Sequence, residues 1–228
     1  MSFALRSRAP CCAAPLLALS VAAHSVCPAP LATAVLERFI DANCEACWRS
    51  GDASTQAQGN DPFVLDWIVP GAAGDGAALS PAALVEATAR AGALPADTTL
   101  HRRHVLPLQP GLGITLRDGP PWYGYIGLQL AVQHADAALP VGAVAYLALV
   151  ENVAPGEEGT PAARRLVRAL AGPLPLATGR TSSEHLQAMR IPFGARPERL
   201  SAVAWIEAPA GRLVALAGAT PLDCSTAK

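Results

Sequence analysis

The apolar positions of this chain fall into short runs punctuated by glycine, proline and acidic residues. "AVLERFI" (34–40) alternates weakly and predicts a strand. "PFVLDWIV" (62–69) is nearly continuous in apolar character, the pattern of a parallel strand buried on both faces. Between them "CEACWRSGDAS" opens a helix that Gly51 keeps short. "PGAAGDGAA" is a loop, after which Ser80-Pro81 supplies an N-cap and a first-turn proline. "AALVEATARAGAL" continues as an amphipathic helix that ends near Gly92. Strand, helix, strand, helix reads as a right-handed crossover unit.

The second part has a different period. "LGITLRDGP" (112–120), "GYIGLQLAVQHA" (124–135) and "VGAVAYLALVENVA" (141–154) alternate every second residue between turn residues and read as an antiparallel meander. Thr160-Pro161 then caps a short helix, "AARRLVRALAG". Thr181 and Glu184 have the spacing of a capping box before "HLQAMR". "RLSAVAWIEAP" and "RLVALAGA" close the chain as a hairpin around "APAGR". The expected fold class is therefore α/β: a thioredoxin-like βαβ N-terminal part with a strand-rich antiparallel C-terminal part packed on it. Residues 26–110 form the first part and 111–228 the second, with the boundary near Pro110.

Composition sharpens this in two respects. Of 228 residues, 51% are hydrophobic and only 15% charged, so the chain has the means to build a core and is not a disordered one. A net charge of −1, with the charges scattered, offers no bulk attraction for nucleic acid or an anionic membrane. The single lysine is Lys228, and the wealth of Arg, Ala, Pro and Gly reads most simply as coding bias.

The N-terminus carries an address. Arg6 and Arg8 precede the apolar run "CCAAPLLALSVAA", which falls short of the roughly 20 apolar residues of a spanning helix. Ala23-His24-Ser25 and Ala32-Thr33-Ala34 each match a small-x-small cleavage site. Residues 1–25 thus read as a secretory signal peptide, and the mature protein as periplasmic or secreted with no membrane span.

Export changes how the cysteines are read. Cleavage after Ser25 leaves Cys27, Cys44, Cys47 and Cys224, an even number in an oxidising compartment. Three pairings are possible. The local choice joins Cys44 to Cys47, and Cys27 to Cys224 then ties the two ends of the mature chain together, worth up to about 5 kcal/mol in the chain-entropy picture. Cleavage after Ala34 instead leaves Cys224 unpaired. A Cys-x-x-Cys between a strand and a helix is also the arrangement of a thiol–disulfide exchanger. Cys44 is the expected exposed nucleophile, its thiolate favoured by the helix N-terminus, with Cys47 the more buried resolving thiol and Trp48 a shield for the pair. Asp41 and Glu45 flank the pair and work against a thiolate. A permanent structural disulfide is the competing reading.

Other chemistry is sparse. There is no Gly-x-Ser-x-Gly, phosphate loop or dinucleotide fingerprint, and no cofactor is implied. Zinc would need two ligands beyond the cysteine pair. His101 and His104 in "HRRH" are candidates, but Arg102 and Arg103 disfavour a cation there, and the tetrapeptide reads as a solvated turn. Asp66, inside the apolar second strand, either assists proton transfer to Cys47 or is hydrogen-bonded and structural, the commoner case. Glu157-Glu158, between Gly156 and Gly159, reads as an exposed turn.

These runs resemble a family of secreted, thioredoxin-like bacterial proteins, the domain-of-unknown-function family numbered twelve twenty-three. "VLERFIDANCEACWRS" is similar to its opening "VxLFTSxGCxxCPPAD", and "VLDWIV" to its second strand. "ENVAPGEEGTPAARRLVRALAG" resembles its "GENxGxxLxHxxVVRxL" stretch, and "AWIEAPAGRLVALAGA" its closing hairpin. The resemblance implies a thioredoxin-like fold with Cys44 and Cys47 at its centre. Two departures stand out: Trp48-Arg49 replaces the proline after the second cysteine, and the family's "YTPQ", which brings a cis-proline beside the disulfide, is absent. Pro107 and Pro110 are the nearest prolines. The function expected is thiol–disulfide exchange or redox response with protein thiols or disulfides as partners. The alternative is a secreted, non-enzymatic binding or interaction protein with a structural disulfide.

Overall fold

The computed structural model describes residues 33–50, 62–92, 94–107, 109–135, 139–177 and 181–218. The expected signal peptide, Cys27 and Cys224 lie outside them. In chain order the elements are β1 (Ala34–Asp41), α1 (Glu45–Arg49), β2 (Phe63–Val69), α2 (Val85–Ala91), β3 (Thr99–Val105), β4 (Leu112–Asp118) and β5 (Tyr125–His134). They continue with β6 (Val144–Val153), β7 (Arg164–Pro175), β8 (Ser182–Arg190), β9 (Leu200–Ala208) and β10 (Arg212–Gly218).

Seven strands make one mixed sheet in the order β10-β9-β6-β7-β2-β1-β3, and β4-β5-β8 make a second, smaller sheet. The protein is mixed α/β, dominated by strands, with few and short helices. β1 and β2 run parallel in register from Val35–Phe63 to Asp41–Val69. β2 meets β7 in parallel at Asp66–Leu166, after which Ala83 takes over as the neighbour of Ile68. The chain after residue 110 thus supplies four strands to the same sheet as β1–β3.

The small sheet covers one face of the antiparallel half. Leu128, Leu130 and Val132 of β5 pack on Leu147, Leu149, Ala204 and Ile206. On the opposite face α2 packs through Ala87 and Ala91 over Phe39, Trp67, Val167 and Trp205. Under α1, Trp48 joins Ile40, Ile68, Ala77 and Leu166.

Several local expectations give way to long-range pairing. "AARRLVRALAG" is strand β7, not a helix, because it lies between β6 and β2 in the ladder. Its Ala, Leu and Arg favour helix locally, but that preference is weak against a paired backbone in a core. Thr160 caps no helix: its hydroxyl accepts hydrogen bonds from the Ala162 N–H at 3.3 Å and Arg164 Nε at 3.0 Å. "HLQAMR" belongs to β8, paired with β5. There the inward-facing Ser183, His185 and Gln187 are polar while outward Leu186 is 77% exposed, so apolarity does not mark the buried face. "HRRH" lies in β3 rather than in a turn, with Arg102 donating to the Arg90 and Ala91 carbonyls at the end of α2. β6 leaves the expected meander and sits between β9 and β7 in the large sheet. The helix expected from Ser80 starts only at Val85. Residues Ser80–Ala82 form one 3-10 turn, and the Leu84 N–H bonds the Ile68 carbonyl at 3.0 Å, tying the chain to β2 first. Gly92, at φ 76°, ends α2 where expected.

Candidate functional site

The chain leaves β1 through a tight turn. The Ala42 N–H bonds the Val69 carbonyl at 2.9 Å, the Cys44 N–H bonds the Asp41 carbonyl at 2.9 Å, and the Asn43 N–H bonds Asp41 Oδ1 at 2.8 Å. Gly71 presses against this turn so closely that a Cβ there would meet the Asn43 amide and Asp41 Oδ1, so a larger residue would have to displace the Asn43 side chain. Cys44 is the N-cap of α1, and its Sγ accepts from the Cys47 N–H at 3.2 Å. The two cysteines form a disulfide with Cα atoms 5.2 Å apart. Cys47 Sγ lies 3.8 Å from the Asp97 carbonyl oxygen.

Exposure runs opposite to the order expected. Cys44 is 6% exposed and Cys47 half-buried. The reason is positional: Cys44 sits in the turn that the 71–79 loop closes over, through the Leu79 N–H to the Ala42 carbonyl at 3.1 Å. Cys47 is one turn further along α1. Trp48 does more than border the disulfide. It is buried, donates through Nε1 to the Glu158 carbonyl at 2.7 Å, and lies 5.0 Å below the Arg164 guanidinium. Arg164 also donates to the Trp48 and Ser50 carbonyls at 2.7 and 2.9 Å. Glu45 pairs with Arg49 on the outer face of α1.

Asp66 is structural. It is fully buried and accepts from Arg38 Nε at 2.6 Å, Arg38 Nη2 at 3.0 Å, Arg164 Nη1 at 3.5 Å and the Arg165 N–H at 3.0 Å. Glu157 and Glu158 do form a turn, held to Arg199. Among the described residues no three His, Cys, Asp or Glu side chains come together as a metal site. His104 bonds Glu37 at 2.9 Å instead.

The sequence reading missed a second buried cluster on the α2 face. Glu37 and Glu207 both pair with Arg90, which stands 5.2–5.9 Å from the ring centroids of Trp67, Tyr146 and Trp205. Burial works to raise the Glu37 carboxyl, but the His104 hydrogen bond and the Arg90 charge outweigh it and hold the group below its ordinary range. Burial and the Glu207 charge push the Tyr146 hydroxyl up, against Arg90. The available signal was two adjacent charges, Glu37-Arg38, inside an apolar strand. A cis peptide at Gly172–Pro173 lines the cavity beside this cluster, rather than one at Pro107 or Pro110.

Fold and site together define a strand-rich α/β protein whose first parallel strand ends in a disulfide-closed Cys-x-x-Cys turn. No family model matches the chain, and no curated protein matches it. Among solved structures it is similar to HBP35 of Porphyromonas gingivalis, at 12% identity and a TM-score of 0.56, over 88% of this chain and 79% of that one. The likeness is one of fold. Among the described residues no helix is long and apolar enough to cross a membrane.

Proposed function

We propose that this is an exported, thioredoxin-like protein of the family numbered twelve twenty-three, and that Cys44 and Cys47 exchange disulfides with thiols of other proteins. The observation that carries the reading is the N-cap geometry: Cys44 ends the turn after a parallel strand, with the Cys47 N–H directed at its Sγ. A backbone N–H directed at sulfur favours the thiolate over the thiol. With five residues, α1 offers local N–H groups rather than a long dipole.

The more exposed sulfur, Cys47, is the one an incoming partner thiolate attacks. A bond forms between partner sulfur and Cys47 Sγ. The Cys44–Cys47 bond breaks, and its electron pair stays on Cys44 Sγ as a thiolate held by the Cys47 N–H. A second partner thiolate then attacks the partner sulfur and releases Cys47. The partner is oxidised by two electrons and the cysteine pair is reduced. A leaving thiolate that is stabilised leaves faster.

Equilibration with glutathione and dithiothreitol mixtures tests this. A potential above about −300 mV, with mixed disulfides accumulating on Cys47 in Cys44→Ser, supports exchange. A potential below about −300 mV, with Cys47 inert after mild reduction, sinks it.

A second reading, a secreted binding module with a structural disulfide, is favoured by the β4–β5 turn. There Trp122 and Tyr123 are 71% and 86% exposed, with ring centroids 5.0 Å apart. Large exposed aromatic surface of this kind marks interaction sites. Retention of partner binding by the Cys44→Ser, Cys47→Ser double variant, together with its loss in Trp122→Ala, selects this reading.

A further inference from the structure

A cavity of about 430 Å³ lies on the α2 face of the sheet, opposite the face that carries α1. Its walls are one side of α2, the Gly172–Pro173 bend of β7 and the tip of the β9–β10 hairpin. Three carboxylates line it, those of Glu37, Glu86 and Glu207, against two guanidinium groups, those of Arg90 and Arg102. The walls therefore carry one negative charge in excess. Ala89, Leu170 and Pro173 add an apolar side.

The cations are turned to partners within the protein. Arg90 pairs with Glu37 and, at 2.6 Å, with Glu207 Oε1. Arg102 donates to the Arg90 and Ala91 carbonyls at 2.8 and 3.3 Å. The acceptors are not all spent. Glu37 has a donor on each oxygen, Arg90 and His104. Glu207 is 6% exposed, and its Oε1 takes the Trp205 Nε1 bond at 2.7 Å as well as Arg90. Its Oε2 bonds no described residue and is not sealed from solvent, so it opens on the cavity. A carboxylate oxygen so deeply placed calls for a donor, and the cavity is the side from which one can come.

The local field has the matching sign. Tyr146 pairs with Trp205 across β6 and β9, and so stands diagonally from Glu207 on the same face. Burial and the Glu207 charge push its hydroxyl up although Arg90 opposes them, so a second anion is disfavoured here.

We propose that this cavity binds a primary alkylammonium group. An N–H of the ligand donates to Glu207 Oε2, and its charge answers the negative excess of the walls. The alkyl chain lies along Leu170 and Pro173. A quaternary ammonium has no N–H to give. Tyr146 already shares its ring with Trp205, stacked at 5.6 Å, and with Arg90 at 5.9 Å, which leaves no aromatic cage for one. The site lies across the sheet from the disulfide turn and does not depend on thiol exchange.

The test uses the full mature chain, with the disulfide intact, in titration calorimetry and thermal unfolding. The pH is about 8, above the ordinary imidazole range and below that of an alkylamine. Probes at matched ionic strength are n-pentylamine, pentanoate, n-pentanol, tetramethylammonium and Nα-acetyl-lysine methylamide. Pentylamine is expected to bind saturably and to raise Tm by roughly 5–10 °C at a hundred times its Kd. Pentanoate and pentanol are expected not to bind, and tetramethylammonium to bind about tenfold more weakly or worse. Ala89→Leu fills the cavity from an exposed position on α2. It should abolish binding while its own Tm without ligand stays within about 2 °C of wild type. Glu207→Gln keeps an acceptor for Trp205 and Arg90 but removes the charge, and should weaken pentylamine about tenfold or more. The lysine derivative assigns the source: binding at least as tight as pentylamine points to a protein side chain, weaker binding to a free amine, and the ammonium site holds in both cases. Pentylamine that does not saturate, or that binds Ala89→Leu as tightly as wild type, overturns the site. Pentanoate, pentanol or tetramethylammonium binding as tightly as pentylamine overturns the assignment to a primary ammonium.

Discussion

The two faces of β1 bury charge in opposite ways. Glu37 and Arg38 are sequence neighbours, 0% and 1% exposed, and point to opposite sides of the sheet. On the α2 side, both Glu37 oxygens have donors, Arg90 and His104, and Arg90 is shared with Glu207 over three aromatic rings. The charged groups of that cluster all find partners, and the buried atom left without one is Trp67 Nε1 in a ring beside Arg90. On the α1 side, the Asp66 carboxylate pairs with the Arg38 and Arg164 guanidinium groups, and Arg38 Nη1 has no hydrogen-bond partner. In that cluster a charged group itself is left with an unmet donor. Burial of charge alone does not separate the two; whether every donor of the buried charged groups finds an acceptor does.

The largest effect should come from the α1 face. Asp66→Asn leaves Arg38 and Arg164 in the interior without their carboxylate, and urea unfolding at pH 7 should show a loss of roughly 3–5 kcal/mol. A loss below about 1 kcal/mol would mean that the arginines are neutralised by other means, and the contrast between the faces would fail.

The α2 face comes next. Arg90→Met strands Glu37 and Glu207 and should cost about 3 kcal/mol at pH 7. Here pH sharpens the comparison. The Glu37 carboxyl titrates below its ordinary value of 4.5 in the folded protein. Its contribution is therefore complete above pH 4.5 and is lost as pH falls through the folded value. Wild type should weaken in that window, while Arg90→Met, in which Glu37 has already lost the Arg90 charge, should close much of the gap. A deficit unchanged between pH 7 and 4 would separate the stability of this face from Glu37 altogether.

The disulfide should matter less than either cluster. Cys44→Ala with Cys47→Ala opens a very short ring, and the chain-entropy estimate is about 2 kcal/mol. A loss matching that of Asp66→Asn would place the turn, not the buried charges, at the centre of stability. The smallest effect belongs to Arg165→Gln, within about 0.5 kcal/mol, because its guanidinium holds no carboxylate to strand. A cost above about 1 kcal/mol would show that Arg165 is part of the framework.

Much of the framework was legible. β1 and β2 gave themselves away by apolar runs, β4 and β5 by alternation, and β9 and β10 as two apolar segments around "APAGR". The Cys44–Cys47 pairing was legible because residues three apart at a helix start have little choice of partner. β7 and β8 were not legible as strands. The ladder that makes β7 a strand is contributed by β6 and β2, and "AARRLVRALAG" carries no trace of those neighbours. β8 turns polar side chains inward, so its alternation is silent. The exposure order of the cysteines was hidden as well, since the loop that closes over Cys44 lies some thirty residues downstream.

By itself the sequence determined where many of the backbone segments extend, where they turn and that Cys44 meets Cys47, because these depend on interactions between residues a few positions apart. The tertiary structure alone decided which strands share a sheet, which face of β1 each charge enters, and that Asp66 would meet three arginines from two distant strands. Those outcomes depend on desolvation. Whether Glu37, Arg38 or Asp66 is stabilised or penalised is set by the donors and acceptors that folding gathers around it, and segments distant in the chain supply most of them.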